Sequence, residues 1–345
     1  MSAPAMYVFS TLSPFCASPG TLLCAAPPPN SVAANNAATG VNDRVFASKN
    51  APYDYSKSTS ENYADSHARI RREFFSTRCG LDYKYHGRYS LERQALQDSI
   101  IRSMLSFEDM QTGKASMRTQ ADRTFRGGRE LKQPRQPWAI YTAGCMGSGK
   151  THIMNRLDAH GLLPLPRFVR IDIDRIRSLL PEMEGYIARS PSIAGAMTQR
   201  EAGLIAEVAT EEALRRGLNL WVDSSLRDAD WWTYELQRIR RTYPHRLAIL
   251  HVTATWPRVV QREAKRGEVT GRRIPQDVLA ATFKRVPAAV AKLREHVDEY
   301  IEIDNDARRP RLRTPRDVRA LLAVCAEVGG DCESRQLESW LPGFE

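Results

Sequence analysis

The pattern of apolar and polar positions divides the chain in two. From residue 137 onward, short apolar runs alternate with longer stretches of helical periodicity. Residues 138–142 form a compact apolar run that ends in a glycine-rich turn, and a helix is expected from 150 to about 160. Residues 168–172 read as a second strand. A long helix at 198–216 stops at Gly217, a residue suited to the left-handed turn that ends helices. A third strand at 218–223, a helix at 230–243, a fourth strand at 247–253, helices at 256–266 and 275–295, and a fifth strand at 300–303 complete the series. Strands alternating with helices predict a parallel sheet covered on both faces, which is a three-layer α/β sandwich.

The first 136 residues follow other rules. Residues 60–112 read as helical: 63–77 carries Ile70, Phe74 and Phe75 among Arg69, Arg71 and Arg72. Ser90 suits an N-cap for a helix whose apolar stripe is Leu91, Leu96, Ile100, Ile101, Met104, Leu105 and Phe107. The arginines fit a solvated helix face better than a phosphate patch. Residues 111–136 are polar, basic and contain Gly127-Gly128, the composition of a linker. No Asp, Glu, Lys or Arg occurs before residue 43, and Ala, Pro, Ser and Asn dominate there, so disorder or a targeting role is expected. The resulting division is 1–55 disordered or targeting segment, 56–136 helical extension and linker, 137–310 catalytic domain, and 311–345 C-terminal helical cap.

Composition changes this picture little. The chain has 345 residues, 42% hydrophobic and 26% charged, as in ordinary globular proteins. No stretch approaches the roughly 18 apolar residues of a membrane span. A net charge of +10 suits a protein that handles phosphates. The six cysteines show neither CxxC pairing nor zinc-ligand spacing, so reduced thiols and a cytoplasmic location are expected, with organelle import as the alternative.

Candidate chemistry lies at the ends of the expected strands. Gly144-Cys145-Met146-Gly147-Ser148-Gly149-Lys150-Thr151 matches GxxxxGK[ST] between a strand and a helix, the context a phosphate-binding loop requires. Gly144, Gly147, Ser148 and Gly149 would bring backbone N–H groups to the phosphates. Lys150 would reach the β- and γ-phosphates, and the Thr151 hydroxyl would coordinate Mg²⁺. Asp172 and Asp174 end the second strand, where one carboxylate can cap the next helix and the other accept a proton from an attacking hydroxyl. The third strand ends in Asp223, a candidate for the Mg²⁺ shell, and Arg227 just beyond could bind an anionic acceptor. Arg262, Lys265, Arg266, Arg272 and Arg273 form a basic segment suited to closing over a triphosphate.

In order and spacing, these residues resemble the zeta-toxin family of P-loop kinases over roughly residues 138–306. The resemblance implies ATP as phosphoryl donor, Mg²⁺ as its companion, and a small-molecule acceptor such as a UDP-linked N-acetylhexosamine. It implies Asp174 as the base, Glu207, Asp223, Ser225 and Arg227 on the acceptor side, and Arg262 and Arg272 as lid arginines that stabilise the γ-phosphate. Asp223-Ser224 stands where bacterial toxins tend to have Glu followed by Gly, which alters the floor of the acceptor pocket. An inhibitor protein is a further partner the family suggests. Two alternatives stay open: a polynucleotide kinase, against which the lack of base-stacking aromatics among the basic residues counts, and a nucleotide-dependent binding module.

Overall fold

The computed structural model describes residues 53–106, 134, 136–307 and 309–330. Residues 1–52 of the segment expected to be disordered, most of the linker and the last fifteen residues therefore lie outside the described residues; residues 53–55, assigned to that segment, are ordered, with Tyr53 and Tyr55 packed on Tyr186. In chain order the elements are α1 (Thr59–Asn62), α2 (Phe75–Cys79), α3 (Tyr83–His86), α4 (Leu91–Leu105), β1 (Trp138–Ala143), α5 (Lys150–Ala159), β2 (Phe168–Asp172), α6 (Ile173–Ser178), α7 (Met183–Arg189) and α8 (Ala194–Met197). These are followed by α9 (Gln199–Arg215), β3 (Asn219–Asp223), α10 (Ala229–Thr242), β4 (Arg246–Thr253), α11 (Trp256–Thr270), α12 (Gln276–Leu293), β5 (Glu299–Asp304), β6 (Arg311–Leu312) and α13 (Pro315–Val328).

One sheet runs in the order β2-β3-β1-β4-β5-β6. The first five strands are parallel and β6 joins β5 antiparallel. All six residues of β1 are buried, as a central strand covered on both faces requires. One face presents Tyr141, Ile171, Val222 and Ile249 to α9, α10 and α12, with Ile100, Ile101 and Leu105 of α4 in the same core. The other presents Ile140, Phe168, Trp221 and Leu250 to Ile153, Met154 and Leu157 of α5 and to Leu321 and Val324 of α13. Each such side chain contributes about 1.5–3 kcal/mol on burial. The three-layer α/β sandwich expected from the pattern is the fold found.

Local signals explain several boundaries. Gly217 follows α9 at φ 62, the left-handed conformation of a C-terminal stop. Thr314 caps α13 through a capping box with Asp317, with Pro315 in the first turn. Ser90 accepts a hydrogen bond from the Arg93 backbone N–H and starts α4.

The N-terminal extension departs from expectation in two places. Residues 63–77 do not form one helix: the chain turns there, and Phe74 sits at φ 54 just before α2. Tertiary bonds hold this stretch instead. The Arg71 N–H donates to Gln94, and the Arg71 and Arg78 guanidinium groups pair with Asp98 at 2.8 and 2.6 Å. In α4 the buried face is largely polar: Arg93, Gln94, Gln97 and Asp98 are inside, while Leu91 is 45% exposed. The apolar stripe read from the sequence holds from Leu96 to Leu105 and fails at Leu91; the polar residues beside it are buried too because they satisfy one another. Between β2 and α9, α6 is the helix that one of the two aspartates was expected to cap, whereas the short helices α7 and α8 had no expected counterpart. No helix among the described residues is long and apolar enough to cross a membrane. Cys145 is a free thiol, whereas Cys325 is disulfide-bonded, so the expectation of reduced thiols throughout does not hold at that residue.

Candidate active site

The glycine-rich turn leaves β1 and enters α5 at the carboxyl end of the sheet, the position where open α/β sheets bind ligands. Its glycines are sterically required. Gly147 lies at φ 84, and a Cβ there would come within 2.5 Å of the Val259 carbonyl oxygen; Gly149 lies at φ 94 against the side-chain amide of Asn305. Lys150 opens α5, and its Nζ donates to the Gly144 and Cys145 carbonyls at 3.1 and 3.4 Å, folding the ammonium over the loop. The Ser148 hydroxyl is buried with no hydrogen-bond partner among the described residues, a spare donor inside the cradle. The Gly144 N–H donates to the Ser225 carbonyl at 3.4 Å, tying the loop to the turn after β3.

That turn brings the second part of the site alongside the first. Parallel pairing of β1 with β3 sets Thr142 opposite Asp223, and pairing of β2 with β3 sets Asp172 opposite Asp223. The Thr151 hydroxyl donates to Asp223 Oδ2 at 3.1 Å, and the Thr142 hydroxyl to Oδ1 at 3.0 Å. Burial raises the Asp223 carboxyl above the usual range, Asp172 adds to the rise, and Lys150 opposes it. A buried carboxylate short of positive charge, bonded to the loop threonine, is a donor set that fits a divalent cation such as Mg²⁺. The turn continues through Ser224, whose hydroxyl accepts from the Leu226 N–H at 3.2 Å. Leu226 is fully buried at φ 53, so the chain is held there in a conformation that larger residues rarely adopt.

The two carboxylates ending β2 take different positions. Asp172 Oδ1 accepts the N–H groups of Asp174 and Arg175 at 3.0 and 3.2 Å, which makes it the N-cap of α6, and its Oδ2 pairs with Arg170 at 2.7 Å. Asp174 points instead into a cluster of arginines. Its Oδ1 meets Arg177 at 2.6 Å, and its Oδ2 meets Arg266 at 2.5 Å and Arg272 at 2.8 Å. Burial would raise this carboxyl, but the charges of Arg272, Arg177 and Arg266 outweigh it and hold the group well below the usual carboxylate range.

The basic segment divides likewise. Arg266 on α11 and Arg272 just after it reach Asp174. Arg262, one turn earlier, donates to the Ser148 and Asn305 carbonyls at 3.2 and 2.7 Å, so it braces the loop backbone in this structure. Asn305, at the end of β5, donates its side-chain amide to the Ser148 carbonyl at 2.8 Å and completes the brace. Arg227 reaches across to the Thr282 hydroxyl of α12 at 3.2 Å, and burial together with Arg285 nearby lowers its pKa. The structure thus brings Gly144, Gly147, Ser148, Gly149, Lys150, Thr151, Asp223, Ser225 and Arg262 into one bonded assembly, with Asp174, in the first turn of α6, joined to Arg272.

Glu207 stands apart. The amino end of α9 is tied to Arg177 through Gln199, and Glu207 lies eight positions further, about 12 Å along the helix axis. Its carboxylate pairs with His86 of the N-terminal extension at 2.8 Å. Sequence reasoning also missed Asn305, Arg177 and Thr142. Asn305 carries no local motif, and its role depends on where β5 ends relative to the loop.

The zeta toxin family model matches residues 122–311. No curated protein matches the chain. Among solved structures it is similar to one from the PezAT chromosomal toxin-antitoxin system of Streptococcus pneumoniae, at 17% identity over 72% of this chain and 91% of that one, with a TM-score of 0.48. It is also similar to an AvrRxo1-ORF1:-ORF2 complex with ATP, at 18% identity over 72% and 73% of the two chains and a TM-score of 0.47. A gluconokinase from Sinorhizobium meliloti 1021 aligns at 18% identity over 56% and 94%, with a TM-score of 0.32. Since the family match takes in more than half of the chain and every strand from β1 to β5, the protein belongs to the zeta toxin family and is a P-loop kinase.

Proposed function

We propose that the chain transfers the γ-phosphoryl group of ATP to a hydroxyl of a small acceptor, with Asp174 as the base. The observation that carries this reading is the convergence of Arg177, Arg266 and Arg272 on one carboxylate at the end of β2. Three guanidinium groups close on one carboxylate, with Glu263 near Arg266 and Arg272, and so gather positive charge where a transferred phosphoryl group needs it.

Backbone N–H groups of residues 144–149 and the Lys150 ammonium bind the triphosphate. Thr151 and Asp223 would hold Mg²⁺, which when bound neutralises charge on the β- and γ-phosphate oxygens. A γ-phosphate draws Arg266 and Arg272 more strongly than a single carboxylate does. Their departure frees Asp174 Oδ2 and raises its pKa toward an ordinary carboxylate. The acceptor hydroxyl then bonds to Asp174, which takes its proton as the phosphoryl group moves; a loose transition state asks little basicity of that group. Ser225 and Arg227 line the acceptor side, Arg227 suiting an anionic substituent. The family resemblance makes a UDP-linked N-acetylhexosamine the first acceptor to test. Glu207 is left out of this set because of its position on α9.

The test is ATP turnover in the presence of UDP-N-acetylglucosamine and then a metabolite panel, with Lys150→Ala as control. Transfer that falls about 10²-fold or more in Lys150→Ala supports the reading. Equal turnover by both proteins overturns it.

A further inference from the structure

The sheet face covered by α9 and α10 holds a cavity of about 240 Å³. Its walls are aromatic. Tyr141 of β1 meets Trp232 edge to face at 5.3 Å between ring centres, and Trp231 stands against Trp232 at 4.4 Å. Thr77, Gly80 and Leu81 of the N-terminal extension close it. Those three residues lie outside the region matched by the family model. Neither Lys150, Asp174 nor Asp223 lines it.

Two polar groups mark the cavity as more than a packing gap. The Tyr141 hydroxyl is buried and has no hydrogen-bond partner among the described residues. Burial keeps the phenol neutral and therefore a donor. Buried hydroxyls are nearly always bonded, so this one is poised for a partner that is not protein. Glu207, also on the lining, is held by His86 through Oε2. A carboxylate so held can still accept a further donor. A cavity of about 150 Å³ is known to admit benzene, and this larger one has room for two fused rings. Its aromatic walls favour a flat ring system through edge-to-face and offset contacts.

We propose that this cavity is a second ligand site, taking a flat two-ring aromatic heterocycle that offers an acceptor to the Tyr141 hydroxyl and an N–H donor to Glu207. The site is separate from the phosphoryl-transfer centre and does not rest on the kinase reading. Benzimidazole, which carries both groups, and indole, which carries only the donor, are the probes. Binding to the full chain is measured by calorimetry with and without ATP. Saturable binding of benzimidazole, about 5-fold tighter than indole, is expected from the added hydrogen bond. Tyr141→Phe removes one oxygen atom and should bring benzimidazole to the indole level while leaving indole unchanged. Thr210→Phe fills the cavity and should abolish both. ATP should leave the probe affinity within a factor of about 2, since the two sites share no lining residue. Absence of saturable binding, unchanged benzimidazole affinity in Tyr141→Phe, or displacement of the probe by ATP each overturns the proposal. Should Thr210→Phe fail to fold, the Tyr141→Phe comparison alone decides.

Discussion

Two clusters of arginine and carboxylate in this protein use the same chemistry to opposite ends. In the first, Arg93 of α4 serves two acids: it donates to Glu182 at 2.9 Å through two nitrogens and to Glu201 at 2.6 and 2.9 Å. Gln97 adds a bond to Glu201, and the Tyr63 ring lies under the guanidinium at 4.0 Å. Every charged member is buried, and acids outnumber bases. In the second, Asp174 is one acid among three bases, and a third of its side chain is exposed. The first cluster is saturated and closed, so it locks the N-terminal extension to the catalytic domain. The second sets three guanidinium groups on one partly exposed carboxylate, the arrangement that the exchange with an incoming phosphate proposed above requires. Stoichiometry and exposure, rather than residue type, separate a structural tie from an anion site.

The comparison can be broken most sharply at Asp174. Asp174→Asn should keep ATP affinity and lower phosphoryl transfer by about 10²–10⁴-fold. Nucleotide titration alongside turnover reads both quantities, and a fully active variant would remove Asp174 as the base. A smaller effect, on stability and not on chemistry, is expected at Arg93. Arg93→Met leaves two buried carboxylates unpaired and should cost about 3–5 kcal/mol, seen as a lower Tm. Replacing Glu182 and Glu201 by Leu in the same chain should recover most of that loss. If it does not, the tie depends on more than charge balance. The smallest expected change sharpens the picture of the loop. Asn305→Ala removes one of the two groups bonded to the Ser148 carbonyl, worth about 1 kcal/mol, and should raise KM for ATP about 5-fold with kcat nearly unchanged. An unchanged KM would mean that Arg262 braces the loop alone.

Legibility along the chain followed the range of the interactions. Apart from the short helices α7 and α8, the strands and helices from residue 138 to 304 could be read because apolar periodicity and Gly or Pro stops act within a few residues. Residues 63–77 could not, because Gln94 and Asp98 hold that stretch from another helix. The apolar stripe of α4 was legible from Leu96 to Leu105, but the burial of Arg93, Gln97 and Asp98 was not, because the sequence shows no sign that they would find partners in the interior. At the site, Asp172 and Asp174 were both visible as candidates. Only the backbone geometry at the start of α6 showed which one caps and which one faces the arginines.

The sequence by itself determined the nucleotide loop and the α/β class. Glycine spacing, a strand before it and a helix after it are local properties, and few other arrangements satisfy them. Tertiary structure alone decided the rest of the site. The spread of Arg262 to the loop and of Arg266 and Arg272 to Asp174, the brace from Asn305, and the removal of Glu207 to a cavity beside His86 all join residues distant in the chain. Such contacts depend on how strands are ordered in the sheet and how helices pack over it, which no short segment of sequence encodes.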